Sequence, residues 1–185
     1  METKLVTPPT EEPITLEEAK SHLRVTHSLE DDIIEDLITD AREWCEDFDN
    51  KAYLTQTRIL PLKEKKYKPI KVPRPPLQSV EKIVVVDKDN TEHEVTDYEV
   101  DKISEPGRLL INEYPNVDQK EMNPVQITYK AGYESKEDVP GKVKRAIRLL
   151  LGHWYNNREA AQSGTVNREI AMGVKNILND RVVPV

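Results

Sequence analysis

Hydrophobic positions recur with helical spacing in three parts of the chain, and the longest run begins near residue 29. Its apolar side chains follow one another at short, regular intervals over five turns, which is typical of an amphipathic helix. They are Leu29, Ile33, Ile34, Leu37, Ile38, Ala41, Trp44, Cys45 and Phe48. The pattern predicts a helix over residues 28–49, with Ser28 as its N-cap and Asp31 as its acidic N3 residue. Cys45 lies on the stripe and is therefore interpreted as a core residue rather than a reactive thiol.

Two further helices are predicted on either side of this one. Residues 15–24 begin with Thr15 and Glu18, which match a capping box, where hydroxyl and carboxylate each bond the other residue's backbone amide. Residues 139–159, with Pro140 in the first turn, have apolar positions at i, i+3, i+4 and i+7. These are Val143, Ala146, Ile147, Leu150, Leu151 and Trp154.

The chain between the second and third helices has the pattern of β-strands. Five segments within about residues 55–133 are short and rich in β-branched residues, with turn residues such as Asp89-Asn90 and Pro106-Gly107 between them. The segments are TQTRILPL, SVEKIVVV, EHEVTDYEV, RLLI and VQITYKAGY. The proline-rich segment KPIKVPRPPLQS is unfit for a central strand, so we expect an exposed basic loop there.

These elements predict an α+β protein: a small antiparallel bundle of three main helices with an inserted antiparallel β region. Residues 1–13 contain three prolines and are expected to form an extended N-terminal arm. Residues 14–161 are expected to form one domain. Residues 162–185 are expected to form a C-terminal tail, made of a polar linker and a short apolar end.

Composition changes this picture in one respect. The 185 residues are 37% hydrophobic and 33% charged, which is less apolar and more charged than an average globular protein. We therefore expect other subunits to stabilise part of the chain. The single cysteine fits a reducing compartment. No apolar run approaches the ~18 residues of a membrane span. No signal peptide is recognisable at the start of the sequence. A cytosolic origin without membrane contact is expected.

The net charge of −7 alternates in sign along the chain. Basic and acidic residues number 4 and 15 in residues 1–50 (net −11), and 9 and 2 in residues 51–82 (net +7). They number 6 and 14 in residues 83–138 (net −8), and 8 and 3 in residues 139–185 (net +5). Such alternation indicates either solvated faces paired within the chain or complementary patches through which like subunits meet. The overall acidity argues against a free nucleic-acid-binding protein.

The stretch RLLLGHWYNNRE contains residue types that build active sites, but helical spacing separates them. Trp154 and Arg158 fall near the centre of the apolar stripe and Asn157 at its border, while the other polar side chains diverge around the helix. A general base therefore lacks a partner within hydrogen-bond reach. We interpret these three residues as a helix end that packs, hydrogen-bonds or contacts another subunit. No metal-ligand spacing or phosphate loop occurs either, so we expect no catalytic residue, metal or cofactor.

Several segments, taken in order, resemble one protein family. They are ITLEEAKSHLRV, LEDDIIEDLITDAREWCEDF, PPLQSVEKI, PGRL, ITYKAGY and VPGKVKRAIRLLLGHWYNNRE. This order resembles the head–tail connector (adaptor, or head completion) family of tailed bacteriophages, over roughly residues 14–160. The tail GVKNILNDRVV is similar to the family's ending of two leucines, three variable residues and an arginine, but it lacks the usual Pro-Tyr before the arginine.

The resemblance implies a structural virion protein and not an enzyme. Such proteins form a homo-oligomeric ring, commonly dodecameric, between the portal and the tail or stopper in the phage neck, and they extend the DNA channel after packaging. The implied partners are the portal protein, a stopper or tail-completion protein, and packaged DNA that passes without sequence-specific contact. The implied location is the virion neck, with the host cytoplasm during assembly. An accessory DNA-packaging protein that binds DNA directly is the alternative, although the acidic start of the second predicted helix would repel phosphates.

Two further sets of residues are candidates for assembly contacts. The end of the chain, residues 172–185, is predicted to dock on the portal through Ile177, Leu178 and Arg181. The basic stretch between residues 63 and 74 is predicted to lie at a subunit interface or at the wall of the DNA channel. Its basic residues are Lys63, Lys65, Lys66, Lys68, Lys71 and Arg74.

Overall fold

The computed structural model describes residues 2–157 and 168–179. Within them, helices and antiparallel sheets are combined, which confirms the predicted mixture of α and β structure. Residues 2–9 and 55–133 form a β unit, and the other described residues form a helical unit.

The helical unit contains four helices among its described residues, one more than the three main helices predicted. They are α1 (Leu16–Leu23), α2 (Asp31–Asp49), α3 (Gly141–Asn156) and α4 (Arg168–Leu178). Helix α2 packs against α1 and α3, and α3 packs against α4. The core between α2 and α3 consists of Ile34, Ile38, Ala41, Cys45, Val143, Ala146, Ile147, Leu150 and Leu151. The tail, expected to be a polar linker with a short apolar end, therefore contributes a helix.

The start of α1 follows the sequence prediction. The backbone amide of Thr15 donates to Glu18 Oε2 at 2.9 Å, and the amide of Glu18 donates to Thr15 Oγ1 at 3.2 Å. Both bonds of the capping box are present, so two of the amides that a helix leaves unpaired at its start are satisfied.

The start of α2 differs from its prediction. The helix begins at Asp31 with Glu30 at the N-cap and no side-chain cap, so the predicted capping role of Ser28 is wrong. Asp31 instead binds the ammonium group of Lys20, with 2.5 Å between Nζ and Oδ1. Leu29 lies before the helix and is 89% exposed, so its predicted place in the core is also wrong.

The β unit contains two antiparallel sheets. The larger has the strand order β1-β2-β8-β4-β5 and the smaller the order β3-β7-β6. The strands are β1 (Lys4–Thr7), β2 (Gln56–Leu62), β3 (Ile70–Lys71), β4 (Leu77–Val86), β5 (Glu92–Glu94), β6 (Tyr98–Asp101), β7 (Arg108–Ile111) and β8 (Val125–Ala131). Part of the predicted N-terminal arm is therefore an edge strand of the larger sheet.

Strand β8 lies at the centre of the larger sheet and buries every second side chain. Burial raises the pKa of Tyr129, on this strand, to about 12. The segment EHEVTDYEV, expected to be one strand, is divided between β5 and β6 in different sheets. The division follows the buried Val95, whose amide donates to the carbonyl of Ile83 at 2.9 Å. The proline-rich segment supplies β3, which lies at a sheet edge, where a missing amide is tolerated.

Candidate interaction surfaces

The end of α3 carries the first set of predicted contact residues. Trp154 is buried within this chain. The Asn157 side-chain amide donates to the carbonyl of His153 at 2.9 Å, so it caps its own helix. Arg158 lies outside the described residues. Tyr155, which sequence reasoning had left without a role, donates its hydroxyl to Glu30 Oε2 at 2.5 Å and so holds α3 to the start of α2.

The C-terminal residues predicted to dock on the portal lie on α4. Leu178 and Val174 are fully buried, and Ile177 is half-buried. The Lys175 ammonium lies 5.5 Å from the centroid of the Phe48 ring, a cation–π contact with α2. Arg181 lies outside the described residues. Leu178 thus packs against its own chain, and docking through it requires α4 to separate from its neighbours.

The basic stretch forms a loop between β2 and β4 that includes β3, and we call residues 63–74 the basic loop. Lys63, Lys68 and Lys71 are exposed, and Lys65, Lys66 and Arg74 are half-buried. The exposed three make no ion pair with any residue that the structure describes. Their charge is therefore available to a partner.

Tyr114 fixes the conformation of the basic loop. The backbone amide of Lys66 donates to the Tyr114 hydroxyl oxygen at 3.0 Å, and that hydroxyl donates to the Lys66 carbonyl at 2.9 Å. Lys65 Nζ donates to the Pro115 carbonyl at 3.1 Å. The Tyr67 ring packs edge-to-face on Tyr114, with 5.4 Å between centroids, yet Tyr67 stays 68% exposed. The loop therefore presents its lysines and one aromatic ring from a fixed backbone.

Helix α2 has an exposed acidic face that the sequence patterns did not single out. Its acidic side chains follow one another at intervals of three or four residues, which places them on one side of the helix. They are Asp32, Asp36, Asp40, Glu43 and Asp47, and we call them the acidic ridge. Partial burial, and then the neighbouring carboxylates Glu43 and Asp36, raise the pKa of Asp40 above its ordinary value.

The opposite side of α2 carries a buried group of charges that sequence reasoning missed. Arg42 is 3% exposed and donates from Nε to Glu12 Oε2 and from Nη1 to Glu46 Oε2, both at 2.9 Å. Glu46 Oε1 accepts the backbone amide of Tyr53 at 2.7 Å. The Tyr53 hydroxyl donates to Asp49 Oδ2 at 2.9 Å. The i, i+4 spacing of Arg42 and Glu46 is a signal that could have predicted their ion pair, but it does not predict their burial.

The pKa values of Arg42, Tyr53 and Cys45 are all raised by burial or by neighbouring carboxylates. Burial opposes the charge on Arg42, but the carboxylates of Glu46 and Glu12 hold the pKa of its guanidinium above the ordinary value. Burial and then the Asp49 carboxylate raise the pKa of the Tyr53 hydroxyl, so it remains a proton donor. Cys45 is fully buried, which confirms its prediction as a core residue, and this burial raises the pKa of its thiol.

The described part of the chain contains neither a metal-binding cluster nor a membrane-spanning helix. Among residues 2–157 and 168–179, no three His, Cys, Asp or Glu side chains are placed to hold a metal ion. None of the helices in those ranges is both long enough and apolar enough to cross a membrane. The surfaces that remain as candidates are the basic loop, the acidic ridge and α4.

Comparison with known proteins gives a consistent result. The family model described as head completion protein matches residues 12–177. The solved neck of an empty gene transfer agent (GTA) particle, computed with C6 symmetry, contains a chain with a TM-score of 0.82 and 20% identity, covering 100% of this chain and 97% of that one. The neck of the native GTA particle, computed with C12 symmetry, gives a TM-score of 0.78 at the same identity and coverage.

At this identity the solved structures establish a shared fold, and no curated protein matches. The DNA-binding alternative gains no support from either comparison. The family model, in contrast, covers most of the sequence and agrees with the resemblance to head–tail connectors of tailed bacteriophages. The chain therefore belongs to the head completion protein family.

Proposed function

We propose that this protein is a structural virion component that forms a ring between the portal and the tail or stopper in the phage neck, and that the ring extends the DNA channel after packaging. The observation that carries the proposal is the family match over residues 12–177. A fold shared over its whole length with chains from a solved particle neck supports it. The C12 symmetry of one such neck supports a ring of twelve copies.

The proposal defines partners and location. The ring contacts the portal protein on one side and a stopper or tail-completion protein on the other, and packaged DNA passes through it without sequence-specific contact. The protein acts in the virion neck after assembly in the host cytoplasm, without a membrane step. It performs no catalysis and needs no cofactor. A bundle built from α1, α2 and α3 is its helical core.

Two surfaces of the helical unit take part in these contacts. The C-terminal segment docks on the portal through Ile177, Leu178 and Arg181, and α4 separates from α3 when it does so. The small number of side chains that α4 buries supports this, because Val174 and Leu178 are its fully buried residues among those whose side chains are described. The end of α3, with Trp154, Asn157 and Arg158, lies near a subunit contact.

The ring itself is tested by electron microscopy of the protein mixed with the portal ring encoded in the same genome. We expect a second ring stacked on the narrow end of the portal. No added density at high protein concentration would overturn the proposal. A salt-sensitive titration of the isolated protein with double-stranded DNA would then test the packaging alternative, because phosphate contacts weaken steeply as salt rises.

Portal docking is tested by deleting residues 172–185. We expect attachment to the portal to be lost, while circular dichroism shows that the remaining fold is retained. The matched control is Lys102→Glu, a change of one exposed charge in a turn of the β unit, which should leave attachment unchanged. Attachment by the shortened chain at the wild-type level would refute docking through this segment.

A further inference from the structure

Three residues of the acidic ridge have no cationic counterpart among the described residues of the chain. Asp32, Asp36 and Asp40 make no ion pair with any residue in the described part of the chain. Like charges at i, i+4 destabilise a helix by a few tenths of a kcal/mol per pair, so this spacing carries a cost. The ridge runs from Asp32 to Asp47, a length of roughly 22 Å at the rise of an α-helix.

The ridge is also bordered by exposed apolar groups. Ile33 is 44% exposed on α2, and the neighbouring Leu29 is more exposed still. A partner that covers the ridge would also cover these two side chains and remove their apolar surface from water. Any partner of this face therefore offers positive charge together with an apolar or aromatic group.

The basic loop offers that combination. Its exposed lysines are opposite in charge to the ridge. Tyr67 lies among them as an exposed aromatic ring. Tyrosine is one of the residues that most often dominate binding energy at protein interfaces.

We infer that the acidic ridge of one copy binds the basic loop of the next copy, with Tyr67 packed near Leu29 and Ile33. This inference rests on the proposed ring and names its subunit contact. A cyclic ring is closed by heterologous contacts, in which one patch meets a different patch on its neighbour. Each copy carries both patches, so each interface is built alike and the complementary charges fix its register.

Two charge-reversal variants test the contact. The ridge variant is Asp36→Lys with Asp40→Lys, and the loop variant is Lys68→Glu with Lys71→Glu. Each variant alone places like charges at every interface, and we expect ring formation on the portal to fall at least about tenfold, because like-charge contacts cost several kcal/mol. An equimolar mixture restores opposite charges at every interface of an alternating ring with an even number of copies, so it should recover ring formation.

Control variants carry one charge reversal of the same sign at a position elsewhere. Glu121→Lys and Lys102→Glu alter exposed side chains outside both surfaces and should assemble as the wild type does. Failure of the mixture to recover assembly, or normal assembly by either variant alone, would overturn the inference. Loss of DNA retention by the loop variant, with normal rings from the ridge variant, would show that the loop contacts DNA instead.

Cross-linking separates this inference from the proposed function. Ile33→Cys and Tyr67→Cys are prepared as two different proteins, so a covalent dimer formed by a short bis-maleimide in their mixture joins two copies. The native Cys45 is fully buried and is expected to stay unreactive. We expect a dimer in the mixture and none in either variant alone, with or without the portal ring. Wild-type rings on the portal without this dimer would overturn the contact alone, whereas the dimer without any rings would overturn the proposed function alone.

Discussion

Both sides of α2 carry charged residues, but those on one side are buried and those on the other are exposed. On the buried side, Arg42, Glu46 and Asp49 each have hydrogen-bond partners within the chain. On the exposed side, the acidic ridge holds five carboxylates, of which Asp32, Asp36 and Asp40 make no ion pair with any described residue, while Glu43 accepts from Arg42 Nη2 at 3.3 Å. The buried charges specify how residues 12 and 53 dock on the helix. Asp32, Asp36 and Asp40 hold no other described segment in place by an ion pair, and we infer that they act in contacts with another copy.

The largest effect is expected on the buried side. Arg42→Ala leaves Glu46 buried without its guanidinium, and removing one partner of a buried ion pair costs about 3–5 kcal/mol. We expect that loss in the free energy of unfolding measured by urea denaturation. Arg145→Ala, at an exposed position of α3, is the matched control and should change stability by less than about 0.5 kcal/mol. Equal losses in the two variants would show that the buried pair has no special role.

A single hydrogen bond on the same side gives the next effect. Tyr53→Phe removes the donor to Asp49 and keeps the ring, and a hydrogen bond to a charged group contributes about 1.5–3 kcal/mol. Urea denaturation should show a loss in that range. Tyr67→Phe removes an exposed hydroxyl and should leave the free energy of unfolding nearly unchanged. A loss for Tyr53→Phe no larger than for this control would mean that Asp49 is satisfied without the tyrosine.

The two N-terminal helices differ in the same way at their first residues, because α1 has a side-chain cap and α2 has none. Thr15→Ala removes a capping bond, which typically costs about 1 kcal/mol. Ser28→Ala removes an exposed hydroxyl that caps nothing, so the change in the free energy of unfolding should be close to zero. Thermal and urea unfolding of the two variants measure the loss of stability that each substitution causes. A similar loss from both would reinstate Ser28 as a cap.

The smallest effect is expected on the exposed side, where the substitution should raise the free energy of unfolding instead of lowering it. Asp40→Asn removes repulsion from Asp36 and Glu43 and should stabilise the protein by about 0.5 kcal/mol at neutral pH. The pKa of Asp40 is raised in the folded state, so the folded state binds more protons than the unfolded state between the two pKa values. The advantage of the asparagine should therefore be full at neutral pH, shrink as the pH falls through the folded pKa, and vanish below the unfolded pKa.

Urea denaturation as a function of pH measures this advantage. The control is Glu121→Gln, an exposed change away from the ridge, whose effect should be small at every pH. An advantage of Asp40→Asn that grows as the pH falls would contradict the repulsion argument.

Sequence alone predicted the parts of the fold that depend on neighbouring residues. The capping box at Thr15, the buried stripe of α3 and the core position of Cys45 are all visible as local patterns. The start of α2 was misjudged because Lys20 takes the Asp31 carboxylate, and this partner is eleven residues away. A capping pattern predicts a cap where no tertiary contact competes for the same side chains.

The candidate surfaces were predictable only in part. The basic loop was visible as a run of lysines, but its fixation by Tyr114 joins residues 48 apart in the chain. The buried places of Arg42 and Glu46 were not predicted, because apolar periodicity treats charge as a mark of exposure and their partners Glu12 and Tyr53 lie outside the helix. The strand order was likewise out of reach, since pairing over long separations leaves no local pattern.

The central place of β8 in the larger sheet has a consequence for synthesis on the ribosome. Strands β2 and β4 both bond to β8, which follows them by 39 residues or more, so neither has its inner neighbour until the chain has been made to residue 131. Helices α1 and α2 are local structures and can form early, whereas the sheet depends on slow, non-local pairing. During that interval the open edges of β2 and β4 are the part of the nascent chain most exposed to aggregation and most in need of a chaperone.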